Sequence, residues 1–328
     1  MKKSILILFL IALCVNQIQA DNTFSYNGFT YEITSTTNLT VKIIRKSLGP
    51  TGYTGEVNIP ETVPYSGKNF TVTEIGDYIF VDAVQLTKVT IPKTVLSIGR
   101  QVFNHCTSLQ EIKVDSLNPS FCDVDGVLYT KDKLVLRYYP NAKGNVYELL
   151  ETTMTIGKDA FNVSGIKTIH FNEGFNYILE TAFYRCNEIT SLSFPSSMKR
   201  IDENGFFNCD SIKEIKVYHT NPFTIYDNSF STKVYLNATL LVPEGTKEKY
   251  AASTGWRNFF TITEYKEGIN GDVNNDGEIN ISDVTALIDY LLTGNDSFIS
   301  TQYSDVDGDG NINISDVTAL IDILLRGA

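Results

Sequence analysis

The sequence has few histidines and none of the short motifs that mark many enzymes. His105, His170 and His219 are its only histidines, and none belongs to a metal-binding spacing such as H-E-x-x-H. A G-x-S-x-G nucleophile elbow, a P-loop and a G-x-G-x-x-G loop are all absent. These absences predict that the chain is not an enzyme.

Long apolar runs are also scarce. The clearest one, residues 5–15, follows two lysines and has 11 residues, whereas a membrane-spanning helix needs about 20. We therefore expect a signal peptide over residues 1–20, a secreted mature chain and no membrane span. Cys14 leaves a lipoprotein anchor as an alternative, although Leu13 stands where such an anchor needs a small residue.

Basic residues are nearly missing from the C-terminal part. The chain of 328 residues has a formal net charge of −11. Residues 268–328 contain 11 Asp and Glu but a single Arg, whereas residues 21–267 hold 24 basic and 27 acidic residues. Such an acidic block is typical of a solvated tail or a cation site, and it argues against nucleic acid as a partner.

The middle of the chain repeats a phrase that is I-G-x-x-x-F in its fullest form. The phrase stands at residues 75–80, 98–103, 156–161, 178–183, 201–206 and 225–230. Apart from one step of 58 residues, the copies lie 22 to 24 residues apart, with stretches of alternating apolar residues between them. This period predicts a solenoid in which each coil supplies a short strand to a parallel sheet.

The irregular step and the ends of the array need separate explanations. The 58-residue step has two strand-like runs around a turn, which predicts a β-hairpin insertion near residues 118–144. Exposed terminal coils need a cap, and the segment 241–259 with Trp256 is expected to close the C-terminal end. The expected divisions are an N-terminal cap at residues 21–54, a repeat domain at 55–264 and a linker at 265–270.

This pattern resembles the BspA-like leucine-rich repeat family of bacterial surface proteins. The resemblance covers about residues 55–230 and rests on the phrase, on a small residue three places after its Phe, and on the strand that follows. It implies a leucine-rich repeat solenoid that serves as a binding surface, with an unidentified protein or glycan as its ligand.

Three of the five cysteines fall at one position of the repeat. Cys106, Cys186 and Cys209 each follow the repeat Phe by three residues, where other coils have Ala83 and Ser164. Such a position is expected to be small and buried, so we expect free, packed thiols. A disulfide between Cys186 and Cys209 stays open, because coils stacked roughly 5 Å apart would permit it. No C-x-x-C occurs, so no zinc or redox site is indicated.

The C-terminal part contains one 22-residue stretch twice. Residues 271–292 and 304–325 are identical at 17 of 22 aligned positions. Each begins with an acidic loop, loop 1 at residues 272–283 and loop 2 at 305–316. Oxygen-bearing residues stand at loop positions 1, 3, 5, 7, 9 and 12, and Gly277 or Gly310 stands at position 6, which is the EF-hand calcium spacing.

The spacing predicts two Ca²⁺ ions, one for each loop. Position 7 contributes its backbone carbonyl, and the other positions contribute side chains. Position 12 is Asp instead of the usual Glu, so each loop must close more tightly for bidentate contact. The predicted ligands are Asp272, Asn274, Asp276, Glu278, Asn280 and Asp283 in loop 1, and Asp305, Asp307, Asp309, Asn311, Asn313 and Asp316 in loop 2.

An amphipathic helix is expected after each loop, and none before it. Ser282 and Ser315 are the predicted N-caps. Two units facing each other would bury both apolar stripes and form a small all-α domain at residues 271–328. The predicted stripes are Val284, Leu287, Ile288, Leu291 and Leu292, and Val317, Leu320, Ile321, Leu324 and Leu325.

A duplicated calcium loop with only an exiting helix resembles a type I dockerin domain, the module that binds cohesin domains of extracellular scaffolds. The resemblance covers residues 271–325 and implies a cohesin-type scaffold protein as partner. Related domains often have Ser-Thr at loop positions 10 and 11 and a basic residue further along the helix. This chain has Ile-Ser there and Asp289 or Asp322 on the helix, so a more apolar and more acidic contact is expected. The predicted contact residues are Ile281, Ser282 and Ile288 in one unit, and Ile314, Ser315 and Ile321 in the other.

The two resemblances predict an exported, non-catalytic binding protein, secreted or associated with the cell surface. A leucine-rich solenoid would present a ligand or adhesion surface, and a calcium-loaded docking module would attach it to a scaffold. Two alternatives stay open. One is a cell-surface adhesin whose calcium module is purely structural. The other is a carbohydrate-active component of a polysaccharide-degrading complex, because dockerins are often attached to glycosidases.

Overall fold

The computed structural model describes residues 22–45, 52–266, 268–297 and 299–326. The expected signal peptide and Cys14 lie outside these residues. The helices are α1 Thr232–Asn237, α2 Lys247–Ala252, α3 Ile281–Thr293, α4 Thr301–Ser304 and α5 Ile314–Arg326, with a 3-10 turn at Trp256–Asn258. None of the helices in the described ranges combines the length and apolarity that crossing a bilayer requires.

Short strands dominate the chain before residue 266. The first group is β1 Thr23–Tyr26, β2 Phe29–Ser35, β3 Thr40–Ile44, β4 Thr54–Asn58, β5 Thr62–Tyr65, β6 Lys68–Ile75, β7 Gln85–Ile91, β8 Ser97–Ile98 and β9 Glu111–Val114. The second is β10 Phe121–Val124, β11 Val127–Thr130, β12 Val135–Tyr138, β13 Val146–Glu148, β14 Thr155–Ile156, β15 Thr168–His170 and β16 Tyr177–Ile178. The third is β17 Ser191–Phe194, β18 Arg200–Ile201, β19 Glu214–Val217, β20 Thr224–Ile225, β21 Thr239–Pro243 and β22 Thr261–Tyr265.

Each coil of the solenoid contributes to two parallel ladders. The strands of the repeat phrase, β14, β16, β18 and β20, pair in parallel in that order, and β12 pairs with β14 ahead of them. The longer alternating strands pair in parallel as β17, β19, β21 and β22. Leu192, Ile215 and Leu240 lie opposite one another there and are buried, which explains why apolar residues alternate. The predicted leucine-rich repeat solenoid of parallel strands is confirmed.

The repeat Phe residues form a stack of rings through the core. Phe161, Phe183, Phe206 and Phe230 follow one another with ring centroids 4.8, 4.7 and 5.2 Å apart and ring planes within 11° of parallel. These distances are close to the spacing of neighbouring strands, because each coil carries one phrase strand and one Phe ring. The phrase recurs because each coil pairs its strand and stacks its ring on those of the next coil.

The 58-residue step contains a coil as well as a hairpin. Strands β10, β11 and β12 pair antiparallel in sequence, but β12 also pairs in parallel with β14 through Leu136 and Ile156. Tyr139 takes the place of the repeat Phe, since its ring stacks on Phe161 with centroids 4.8 Å apart. The segment 118–144 was expected to be only a hairpin insertion. Its last strand and Tyr139 show that it also includes one shortened coil of the solenoid.

The core divides at this shortened coil. Tyr138 belongs to the buried cluster on the N-terminal side, and Tyr139 to the cluster on the C-terminal side. Within the described residues, β8 pairs with β6, and β12 pairs with β11 and β14, but β8 and β12 do not pair with each other. The ladder of repeat phrases is thus interrupted between Ile98 and Leu136.

The C-terminal end of the solenoid is closed by a fully buried Trp256, whose Nε1 donates to the carbonyl of Phe223 at 2.7 Å. Tyr265, expected to be the first linker residue, instead lies in β22 and donates its hydroxyl to the carbonyl of Val217 at 2.9 Å. Asn270 donates to the carbonyl of Val306 at 3.0 Å. The linker is therefore shorter than the expected residues 265–270, since Tyr265 belongs to the solenoid and Asn270 contacts the C-terminal domain.

The repeat cysteines are buried and free, as expected, and the alternative Cys186–Cys209 disulfide is not formed. Each thiol donates to the carbonyl of the repeat Phe in the preceding coil. The pairs are Cys106 to Phe80 at 3.0 Å, Cys186 to Phe161 at 2.9 Å and Cys209 to Phe183 at 2.8 Å. Burial raises the pKa of the Cys106 thiol to about 12, so this thiol is unreactive near neutral pH.

Candidate metal centre and its helices

Each acidic loop wraps its backbone around its first carboxylate. Asp272 is fully buried, and its Oδ1 and Oδ2 accept hydrogen bonds from the amides four and five residues later, both at 2.9 Å. Asp305 accepts the matching bonds at 3.1 and 2.9 Å. Gly277 and Gly310 have φ values of 93° and 86°, where side chains cause strain. The repeated spacing thus produces the same sharp turn in both loops.

Each loop closes on the carboxylate at its twelfth position. Asp283 and Asp316 are both fully buried. Asp283 Oδ1 accepts from the Asn274 amide at 3.0 Å, and Oδ2 accepts from the Asn280 amide at 2.8 Å. The corresponding bonds of Asp316 measure 3.2 and 2.8 Å. The short Asp side chain therefore joins the beginning of the loop to its end.

The loops bring carboxylate oxygens together, and none of these carboxylates forms an ion pair with a basic residue in the described part of the chain. In loop 2, carboxylate oxygens that lie within 4.8 Å of one another belong to Asp305, Asp307 and Asp309. Over the described part of residues 268–326, the one ion pair joins Arg326 to Asp322, outside both loops. Buried or clustered carboxylates need a compensating cation, and an all-oxygen donor set suits a hard ion such as Ca²⁺. The residues present fit calcium.

Both helices begin two residues earlier than the sequence suggested. The N-cap of α3 is Asn280, which accepts from the Ser282 amide at 2.8 Å while Asp283 bonds back to the Asn280 amide. At the start of α5, Asn313 accepts the equivalent bond from the Ser315 amide at 2.9 Å. The predicted serine N-caps are wrong, because the Asn at loop position 9 reaches the first turn before either serine does.

Each helix buries one side of its apolar stripe and exposes the other. The shared core consists of Val273, Val284, Leu287, Val306, Val317 and Leu320. Leu292 and Leu325, expected in this core, are 79% and 80% exposed. The reason is geometric, since a helix turns about 100° per residue and Leu292 points closer to Ile281 than to Leu287.

The predicted contact residues lie on the exposed side. Ile281 and Ile314 are 71% and 69% exposed, Ile288 and Ile321 are also exposed, Ser282 is exposed and Ser315 is half-buried. With the two leucines they form matching apolar surfaces, which the sequence pattern missed but helical angles would have found. We call them face 1 (Ile281, Ile288 and Leu292) and face 2 (Ile314, Ile321 and Leu325).

The histidines of the solenoid do not gather into a site. His105 Nδ1 lies 3.0 Å from Asp82 Oδ1, and His170 Nε2 lies 3.5 Å from Glu148 Oε1. His219 Nε2 lies 2.7 Å from the carbonyl of Met198 in a different coil. Each ring thus has its own neighbours, and the three do not form a metal or catalytic cluster in the described coils.

Two protein families match the chain. The family described as BspA type Leucine rich repeat region matches residues 73–121 and 138–248 in six copies. The family described as Dockerin type I domain matches residues 270–325. Both domain types are non-catalytic, and dockerin type I domains bind Ca²⁺ and imply a cohesin partner. No curated protein matches the chain.

Several solved structures of bacterial proteins are similar to the chain. A leucine-rich repeat protein from Eubacterium ventriosum is 16% identical, with a TM-score of 0.47 over 73% of this chain and 83% of that one. One from Bacteroides ovatus is 23% identical, with a TM-score of 0.40 over 67% and 59%. A leucine rich cell surface protein from Faecalibacterium prausnitzii is 14% identical, with a TM-score of 0.35 over 75% and 95%.

Proposed function

Because the chain joins a BspA type leucine-rich repeat region to a type I dockerin domain, we propose that it is an exported, non-catalytic binding protein whose dockerin domain docks the solenoid to a cohesin-type scaffold. The solenoid then presents a ligand or adhesion surface outside the cell. We propose a signal peptide at 1–20, a repeat domain that ends with β22 at Tyr265, and a docking domain that begins at Gly268.

The docking domain is proposed to hold two Ca²⁺ ions, one in each loop. Side chains at loop positions 1, 3, 5, 9 and 12 and the carbonyl at position 7 would surround each ion. The support is the set of buried carboxylates, Asp272, Asp283 and Asp316, together with the acidic cluster of loop 2. The ions would neutralise the acidic block and hold α3 and α5 in their packed arrangement.

The matched exposure of faces 1 and 2 carries the docking proposal. Equivalent residues of the two faces differ by no more than two percentage points in exposure, although one face belongs to α3 and the other to α5. Clusters of exposed Ile and Leu favour an interaction site, whereas single exposed apolar residues such as Leu236 do not. Near-identical faces allow a partner to bind in two orientations related by a pseudo-twofold axis.

Calorimetric titration of the full chain against a panel of recombinant cohesin domains, with calcium and with chelator, tests this. Replacing face 1 by Ile281→Ser and Leu292→Ser should lower affinity by about twofold at most, since one of two equivalent orientations remains. The corresponding changes in face 2, Ile314→Ser and Leu325→Ser, should do the same. All four changes together should cost about 2–4 kcal/mol of binding free energy.

Leu236→Ser provides the control, because Leu236 is an exposed leucine on α1 of the solenoid cap. Its affinity and the calcium content of every variant should equal those of the parent. Full loss of binding from face 1 alone would exclude the two-orientation arrangement. If no cohesin binds a chain whose docking domain folds with calcium, the module is structural, and the adhesin alternative replaces the docking proposal.

A further inference from the structure

A cavity of about 190 Å³ lies where the ladder of repeat phrases is interrupted. Its lining comes from the coil of β8 and from the coils of β12 and β14, and includes Arg100, Asn104, Arg137, Lys158 and Asp159. The shortened coil of β12 places its ring, Tyr139, three residues after Leu136, whereas Phe161 follows Ile156 by five. The missing length of chain leaves the cavity open.

Three basic residues line the cavity, and one of them, Arg137, has no partner among the residues that the structure describes. Arg100 pairs with Asp77 at 3.4 Å, and Lys158 pairs with Glu180 at 2.8 Å. The Arg137 side chain has neither an ion pair nor a hydrogen bond within the described residues, although it is half-buried. Burial lowers the pKa of its guanidinium, but arginine keeps its charge. Arg137 therefore offers a bidentate donor to an anion.

Hydrogen-bond acceptors without a donor line the same cavity. The Asn104 side chain is more than nine-tenths buried, and its Oδ1 has no partner in the described structure. Asp159 is equally buried, and its Oδ1 accepts three hydrogen bonds, from Gln101, Asn162 and Thr181. Its Oδ2 accepts none from the described residues. Buried polar atoms are usually satisfied, so Asn104 Oδ1 indicates a ligand that brings a hydroxyl or amide donor, and Asp159 Oδ2 offers such a ligand a second acceptor.

The cavity adjoins an open groove of about 580 Å³, with which it shares Gln101 and Asn104. Tyr78, Tyr184 and Arg185 also line this groove. Tyrosine combines a flat apolar ring with a polar tip, which suits the face of a sugar ring and its hydroxyl groups. The groove thus extends the cavity by enough space for further units of a chain-like ligand.

We propose that this cavity binds a uronic acid residue of an acidic saccharide. The sugar carboxylate contacts Arg137, the sugar hydroxyls donate to Asn104 Oδ1 and Asp159 Oδ2, and neighbouring sugars lie along the groove. The carboxylate provides the Arg137 guanidinium with a counter-charge. The hydroxyl groups donate to the acceptors on Asn104 and Asp159, which an anion without hydroxyl groups could not do. The inference rests on the proposed binding role of the solenoid and makes no use of the docking domain.

Calorimetric titration of the calcium-loaded full chain with trigalacturonate tests the proposal, with neutral galactotriose, acetate and triglutamate as the comparison probes. Trigalacturonate should bind at least about tenfold more tightly than each of them, because it alone supplies both the carboxylate and the hydroxyls. Arg137→Gln should lower the affinity for trigalacturonate by about tenfold or more. Arg137→Lys keeps the positive charge but loses the bidentate guanidinium, so its affinity should lie between those of the parent and Arg137→Gln.

Arg257→Gln is the matched control, because Arg257 is an exposed arginine on the C-terminal cap, far from the lining residues in sequence, and pairs with Asp227. Its affinity should equal that of the parent. Absence of trigalacturonate binding, or equal binding by the parent, Arg137→Gln and Arg137→Lys, would overturn the proposal. Equal or tighter binding of acetate or triglutamate would reassign the cavity to simple anions or peptides. Each of these results leaves cohesin docking, measured separately, unaffected.

Discussion

His219 illustrates how burial sets the behaviour of a single residue. Its ring packs against Phe223 with centroids 4.8 Å apart, and its Nδ1 is buried without a hydrogen-bond partner in the described structure. Burial lowers the pKa of this imidazole, while the Met198 carbonyl and the charge of Glu173 oppose the shift. The neutral ring is thus favoured in the folded state.

Acidification should therefore weaken the solenoid through His219. Its folded pKa lies below the unfolded value near 6.5, so the unfolded chain binds the proton more readily. The contribution is fully present above about pH 6.5 and is lost as the pH falls toward the folded pKa. His219→Gln should reduce the drop in melting temperature between about pH 7 and pH 5.

The control for this pH effect is His170→Gln, since the His170 ring is exposed beside Glu148. Melting curves of the parent and both variants, recorded in saturating calcium, provide the measurement. The same acid-induced drop in the parent and in His219→Gln would contradict the expected role of His219.

At the scale of an element, the stacked rings hold neighbouring coils together. Phe183 is fully buried between Phe161 and Phe206, with centroids 4.8 and 4.7 Å away. Its coil also receives the Cys209 thiol on its carbonyl oxygen. Because each coil contacts mainly its neighbours, losing one ring weakens two coil interfaces at once.

Phe183→Ala should lower the free energy of unfolding of the solenoid by about 3–5 kcal/mol, because it opens a cavity in the ring stack. Phe260→Ala removes a ring that is 82% exposed and should change it by about 0.5 kcal/mol at most. Chemical denaturation of both variants measures the difference. Equal losses for the two variants would show that ring stacking is not what holds the coils.

At the scale of the whole molecule, charge is divided unequally between the two domains. Residues 268–328 carry 11 acids and one base, whereas residues 21–267 are nearly balanced. The acidic domain also has a small core of six buried apolar residues. Repulsion between carboxylates therefore opposes its folding unless cations are bound.

Chelation should unfold the docking domain and leave the solenoid intact. Calorimetry of the full chain with calcium should show two transitions, and chelator should abolish the one that belongs to the docking domain. A double variant, Asp283→Ala with Asp316→Ala, should lack the transition of the docking domain even in calcium, since both loops lose their closing carboxylate. Asp289→Ala with Asp322→Ala removes the same charge from exposed helix positions and should behave like the parent. A calcium-dependent shift of the solenoid transition would contradict this independence.

Local patterns were sufficient to predict the parts of the molecule that neighbouring residues determine. All proposed ligands of a calcium ion lie within 12 consecutive residues, so spacing alone predicts the loop and its turn at Gly277. The period near 23 residues predicts the solenoid, because every coil meets a copy of itself. The twofold repetition likewise predicted that α3 and α5 would pack together.

Tertiary structure decided what depends on a partner distant in the chain. Helical angles separate Leu292 from Leu287, but which of these two sides is buried is decided by how α3 packs against α5. Tyr139 replaces a repeat Phe because β12 aligns with β14, although no phrase marks that coil. Arg137 and Asn104 line one cavity where β8 and β12 do not pair in the described part of the chain. The 58-residue step indicated an irregularity there, but which side chains share the cavity depends on strands distant in sequence.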